Sequence, residues 1–293
     1  MAQAKDLNIS PYYDDFDPSN DFYKVLFKPG FPVQARELTN SQSILQNQIG
    51  QFGDHIFKEG APVISGAPSY DGNYQAVKIN STQFGIDVSL YTEQLIGKIL
   101  QGQVSGVTAY VDNVILPDGG EVEDITLYVT YSGTGFDNLS MTFLDGEVLL
   151  TKSNIVYGNT TIGADTGVAT LLSSNAIAVG SAAFIVEGVY FIRGTFVNVS
   201  EQTIILDHYT NTPSYRVGLK INESIVTAKD DPSLYDNAQG FTNYAAPGAD
   251  RFKITLTLTK KLIDDDDDTD FFEIMRVKDG VEEKGGTSGG SIY

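Results

Sequence analysis

Two periodicities divide the chain. From residue 74 onward apolar and polar side chains alternate with period two, the mark of strands that bury one face and wet the other. Strands are predicted at YQAVKI (74–79), VSGVTAYV (104–111), DITLYVTY (124–131), AAFIVEGVYFIRGTFVNV (182–199), TIILDHY (203–209), YRVGLKI (215–221), RFKITLTLTKK (251–261) and FFEIMRV (271–277). Within RFKITLTLTKK, Phe252, Ile254, Leu256 and Leu258 share one face, and Lys253, Thr255, Thr257 and Thr259 the other. That is the pattern of a half-solvated antiparallel strand.

ARELTNSQSILQNQIGQFGDHIFKEG, residues 35–60, follows the other period. Leu38, Gln42, Leu45, Ile49, Phe52 and Ile56 step by four and three in turn, which predicts a helix over 35–59 with a coiled-coil-like stripe. Glu37 in the first turn and His55 and Lys58 in the last suit the helix dipole, and Gly60 is placed to end the helix. Gly50 and Gly53 each cost about 1 kcal/mol relative to Ala in a helix interior, a cost that points to close packing. Two destinations fit the stripe: the chain's own β-domain, or a seam between copies. The stripe is shorter than the three or four heptads that secure a coiled coil. Gln42 favours the seam, because a polar layer sets register and subunit number in helical bundles and suits a dry intramolecular core poorly.

Residues 1–34 place Pro11, Pro18, Pro29 and Pro32 among aromatic residues, a mix that resists both helix and ladder and reads as an extended docking arm. Its Tyr12, Tyr13, Phe16, Phe22, Tyr23, Phe27 and Phe31 are too apolar to be left in water, so the arm is expected to lie on this protein or a neighbour. Residues 60–73 read as a turn-rich connector. Residues 60–84 and 181–280 are expected to form the main β-domain. Between them 85–180, loosened by LPDGG, YSGTGFDN and LDGE, reads as a small inserted β-domain, and 281–293 as a linker-like tail. The absence of an internal repeat argues against a solenoid or propeller. The expected fold is mainly β: an extended N-terminal arm and one long helix, then antiparallel β-domains.

Composition narrows the function. With 19 Lys and Arg against 38 Asp and Glu, the net charge of −19 is the wrong sign for tracking a phosphate backbone or an anionic membrane. Neither nucleic acid nor membrane insertion is expected. With no Cys among its 293 residues, the chain has no disulfide framework, thiolate metal site or Cys nucleophile. No signal-peptide pattern is read at the front, and no stretch of about eighteen apolar residues occurs. The six Asn-x-Ser/Thr triplets are read as by-products of an Asn-, Ser- and Thr-rich chain.

Candidate chemistry is sparse. His55 with Ser288 in GGTSGGS superficially resembles a serine-protease pair, but Thr287 stands where the motif needs Asp, and His55 lies on a helix. The run Asp264–Asp268 with Asp270 lacks calcium-loop spacing and is read as a solvated turn between strands 251–261 and 271–277, kept open by self-repulsion. No carboxylate pair can be set at glycosidase distance from sequence, and Trp is absent. No phosphate-cradling glycine loop is found. No enzyme, cofactor or metal is expected.

Two long strings go beyond periodicity: YYDDFDPSNDFYKVLFKPGFPVQARELTNSQSILQNQIGQFGDHIFKEG (12–60) and VGLKINESIVTAKDDPSLYDNAQGFTNYAAPGADRFKI (217–254). With PVQARELT, FGDHIFKEG and NYAAPGADR they resemble a family of structural virion proteins, of baseplate or tail-fibre type, from contractile-tailed, T4-like bacteriophages. The resemblance implies a structural adaptor of the tail whose N-terminal part fastens it to the particle. The expected partners are other tail or baseplate proteins and copies of itself, a trimer being favoured. The expected location is the virion tail, after synthesis in the host cytoplasm. A receptor-binding adhesin is the rival expectation, and a polysaccharide depolymerase the third.

Overall fold

A computed structural model of the chain describes residues 5–283; Ser288 and the rest of the glycine-rich tail lie outside them. The protein is mainly β, with one long helix, Ala35–Ile56, followed by antiparallel sheets. The helix opens where the Gln34 amide donates to the Glu37 carboxylate at 3.0 Å, and it ends at Ile56, with Phe57 already extended. Gly60, at φ +76°, turns the chain into the first strand.

The period-two segments become strands, with three departures. Residues 182–199 would run roughly 60 Å as a single strand. Instead they divide among Ile177–Ile185, Gly188–Ile192 and Thr195–Val199. The last two form a hairpin because Arg193 and Gly194 both take positive φ, as a tight two-residue turn requires. VSGVTAYV becomes extended only at Thr108, since residues 102–107 close a turn first. The stretch read as a connector, 60–73, contains the strand Pro62–Ser65 and the first half of Pro68–Ile79.

The largest sheet has eight strands, in the order Gly167–Thr170, Val148–Thr151, Ile99–Gly102, Thr108–Ile115, Ile125–Gly133, Pro68–Ile79, Ile177–Ile185 and Gln202–Asp207. Strands from within 85–180 therefore share one sheet with the strands that flank them. The apolar cores are nonetheless separate. One gathers Val77, Tyr91, Leu127 and Phe143, and another Ile185, Tyr190, Leu219 and Met275. Tyr74, Tyr128 and Ile205 form a third, smaller cluster, in which Tyr74 and Tyr128 stack with centroids 5.0 Å apart. Pro68–Ile79 serves both the first core and this cluster, which is why Val77 and Ile79 alternate with Tyr74 and Ala76 yet all four are buried.

The turn at 102–107 is built around a buried carboxylate. Glu147 accepts from the Val104 and Ser105 amides, the Ser105 hydroxyl and the Leu144 amide, at 2.7 to 3.1 Å. Four donors make burial of the charge tolerable.

Arg251–Leu262, Tyr215–Val226, Phe271–Lys278 and Val281–Glu283 form a four-stranded sheet. The acidic run joins the first and third of these strands, and it is not held open by self-repulsion as expected. Arg216, nearly buried, donates to both Asp268 oxygens at 2.9 and 2.7 Å and to Glu273 at 2.5 Å. Lys261 reaches the Asp267 carbonyl, and Arg193 reaches Asp270 at 2.6 Å. Arg193 and Arg216, distant in sequence, and Lys261 at the edge of the loop neutralise it, and Asp268 and Glu273 hold the Arg216 guanidinium above its ordinary pKa.

Candidate functional site

The N-terminal helix and arm present a row of exposed apolar side chains. The helix seats on its own β-domain through a face that the apolar stripe does not use. Ile44, Gly50 and Gly53 are its buried residues. A Cβ added at Gly50 would lie 3.5 Å from the Gly194 Cα and carbonyl oxygen, and one at Gly53 only 2.3 Å from the Phe191 ring. Gln46 completes the seat by donating to the Gly194 carbonyl at 2.9 Å and to the Thr195 hydroxyl at 3.1 Å. These two glycines and one amide let helix and hairpin approach closely.

The stripe points the other way. Leu38, Leu45, Ile49 and Phe52 are 54%, 60%, 47% and 65% exposed, Gln42 is exposed among them, and Ile56 alone is half-buried. Covering four such side chains, at roughly 100 Å² each, would contribute about 10 kcal/mol before the costs of association.

The arm divides in two. Its first part lies along the polar flank of the helix: Asp14 accepts from the Ser43 hydroxyl at 2.5 Å, and Asp15 accepts from Asn40 at 3.0 Å and pairs with Arg36 at 2.9 Å. Tyr12 donates to Asp250 at 2.6 Å, a bond that, with burial, raises the phenol pKa. Tyr12 and Phe16 are half-buried here, whereas Tyr13 is exposed. From Phe22 onward the arm leaves the surface, and Phe22, Tyr23, Phe27 and Phe31 are all more than half exposed.

Arg193, which no motif in the sequence marks, ties these pieces together. Its amide donates to Glu59 at 2.6 Å, and its guanidinium pairs with Glu223 at 2.7 Å and with Asp270. The second Glu223 oxygen accepts from the Lys5 amide at 2.8 Å. Although burial opposes its charge, Asp270 and Glu223 hold the Arg193 pKa above its ordinary value. The available signals were the Arg-Gly pair inside an over-long apolar run and the three-residue spacing of Gly50 and Gly53.

Other polar clusters are built into the fold. His208 Nδ1 lies 3.1 Å from the Tyr128 hydroxyl, and burial, aided by the Lys260 charge, holds its imidazole below the ordinary pKa. Lys260 itself reaches the Leu206 carbonyl and lies 4.8 Å from the Tyr215 ring centroid. His55 is exposed on the helix. Among the described residues no group of three His, Asp or Glu is placed to hold a metal ion, and no helix is long and apolar enough to cross a membrane.

Fold and surface together define a mainly β protein with an N-terminal helix whose apolar ridge is turned to solvent. The chain belongs to the family described as a domain of unknown function, DUF4815, which it matches over residues 10–91 and 164–284. The match includes the arm from residue 10 and the whole helix, and leaves out 92–163. No curated protein and no solved structure matches the chain.

Proposed function

We propose that this chain is a structural adaptor of a bacteriophage tail, fastening a fibre or baseplate component to the virion through its arm and helix. The observation that carries the reading is the direction of the ridge: Leu38, Leu45, Ile49 and Phe52 face away from the domain that carries them. A monomer gains nothing by keeping a regular apolar stripe in water. Copies joined along the stripe remove it from water, and Gln42 supplies one polar layer to fix register, with three copies favoured. The resemblance of residues 12–60 and 217–254 to tail proteins of contractile phages supports the particle assignment.

The test is Ile49→Asp, compared with the unmodified chain by multi-angle light scattering. An unpaired carboxylate in a dry seam costs several kcal/mol per copy, enough to dissociate an oligomer. Ile49 is about half exposed within one chain, so circular dichroism of the variant should be unchanged. The expected result is a trimer mass for the unmodified chain and a monomer mass for the variant. An unchanged oligomer in the variant, or an unmodified chain that is already monomeric, removes the reading.

A further inference from the structure

Two strand edges meet at a groove beside the helix. The groove holds about 480 Å³ and is lined by Gln46 of the helix and by residues 195–198 and 252–254. The hydrogen-bonding direction of each edge follows from its partners. Gln202 Nε2 donates to the Leu256 carbonyl at 3.1 Å, and its Oε1 accepts from the Leu258 amide at 2.8 Å. Ile221, paired with Leu256, gives its own amide to the Asp270 carbonyl on its far side, so Leu256 bonds away from Tyr215–Val226. Directions alternate along an antiparallel strand, so Phe252 and Ile254 also turn their amides and carbonyls away from that strand, toward the groove. On the other edge, the two-residue turn at Arg193 and Gly194 makes Ile192 and Thr195 a bonded pair, which leaves the amides and carbonyls of Phe196 and Asn198 pointing outward. Phe191, opposite Phe196, agrees with this: its amide and carbonyl bond to Ala61 and Gly60 on its far side. Among the described residues, none of the amides and carbonyls of Phe196, Asn198, Phe252 and Ile254 has a hydrogen-bond partner.

Unpaired backbone selects an extended polypeptide, because a strand offers donors and acceptors at the same repeat. Gln202 shows the mode: its side-chain amide takes the next positions of the Arg251–Leu262 edge as a peptide group would. Both walls are unpaired, so the occupant is a single strand with two free sides rather than the edge of a folded sheet, which has one. Lys253 is the one charged residue of the lining, and it favours an acidic side chain opposite. The chain's own exposed arm does not suit the groove: Lys24 and Lys28 would meet Lys253, and Pro29 and Pro32 have no amide to donate. We propose that the groove receives one extended strand of a different protein, apolar at alternate positions and carrying a carboxylate for Lys253. This site uses none of the ridge residues and goes beyond the seam between copies.

The test is nuclear magnetic resonance of the full chain, titrated with a blocked hexapeptide that alternates valine and threonine around one glutamate. Strand addition is carried by the backbone, so such a simple sequence suffices as the probe. The expected result is saturable shifts, by about 1 mM peptide, at the Phe196, Asn198, Phe252 and Ile254 amides, with slowed hydrogen exchange at the same positions. The same peptide N-methylated at alternate residues cannot donate to one wall and should give no shifts there. Lys253→Glu, at an exposed position, should bind the glutamate peptide about fivefold more weakly and prefer a peptide with lysine in its place. Four outcomes each overturn the inference: no shift at these four amides, equal binding of the N-methylated peptide, an unchanged affinity in Lys253→Glu, or shifts confined to Leu38, Leu45, Ile49 and Phe52 on the ridge.

Discussion

Replacing Gly50 and Gly53 separately by Ala tests the seat of the helix, because the structure gives the two substitutions opposite signs. Each removes the flexibility of an interior glycine, which stabilises a helix by about 1 kcal/mol. At position 50 the new methyl group meets Gly194 at 3.5 Å, an ordinary contact, so nearly all of that gain should be kept. At position 53 it would lie 2.3 and 2.5 Å from two carbons of the Phe191 ring, so the ring must retreat by more than 1 Å to restore about 3.5–4.0 Å. Phe191 is fully buried, with the Phe196 and Phe57 rings at 5.3 and 5.9 Å, so the retreat overpacks an aromatic cluster. Overpacking costs about 1–3 kcal/mol, which, set against the helix gain of about 1 kcal/mol, leaves Gly53→Ala destabilised by up to about 2 kcal/mol. Urea unfolding followed at 222 nm, where the helix signal is strong, should give a higher midpoint for Gly50→Ala and a lower one for Gly53→Ala. Equal gains at both positions would refute the argument, because they would mean that the helix does not rest on Phe191.

The other predictions concern the buried charges. Glu147→Gln places an amide group among four donors, leaves at least one of them unpaired, and should cost about 2–4 kcal/mol in urea unfolding; a neutral result would remove the carboxylate as the centre of the 102–107 turn. Burial would raise the Glu273 pKa, but Arg276 and Arg216 together hold it below its ordinary value, and Arg216→Met leaves the carboxylate with Arg276 alone. The variant should lose about 2–3 kcal/mol at neutral pH, and adding Glu273→Gln should restore part of it; a double variant no more stable than the single one counts against the ion pair. Hydrogen bonds from the Ser140 and Leu139 amides and the Ser140 hydroxyl push the Asp137 carboxyl from 3.8 to about 2. Because the folded pKa is the lower one, this support is complete above 3.8 and is lost as pH falls through about 2. The Ser140 amide resonance should therefore shift with a midpoint near 2, and a midpoint at the ordinary value would show that the 137–140 turn is not held by Asp137.

The existence of the elements was legible because each depends on local spacing. Leu38 to Ile56 step as a helix must, and the helix spans Ala35–Ile56. Phe252 to Leu258 alternate as a strand must, and Arg251–Leu262 pairs with Tyr215–Val226 along its whole length. Where the structure differs, a residue distant in sequence decided the outcome. The apolar run 182–199 bends at Arg193, whose amide is taken by Glu59 and whose guanidinium is taken by Glu223 and Asp270. The acidic run, read as mutually repelling, is folded down by Arg216, which lies about fifty residues earlier in the chain.

The candidate interface shows the same division. Periodicity marked the stripe and Gln42 within it, but it could not say which way the stripe faced, because one set of apolar residues serves equally to cover a sheet or to meet another molecule. Only the tertiary structure decided that the helix rests on Ile44, Gly50 and Gly53 and turns Leu38, Leu45, Ile49 and Phe52 outward. The reason is steric: two glycines and a Gly194 hairpin turn allow a closer approach than a row of leucines could, so the less apolar face became the inner one. The sequence by itself determined a charge that disfavours phosphate backbones, a helix followed by antiparallel strands, and the residues of the ridge. The choice of face, the cations that gather the acidic loop and the open strand edges at Phe196 and Phe252 arise from contacts between distant residues, which no local pattern encodes.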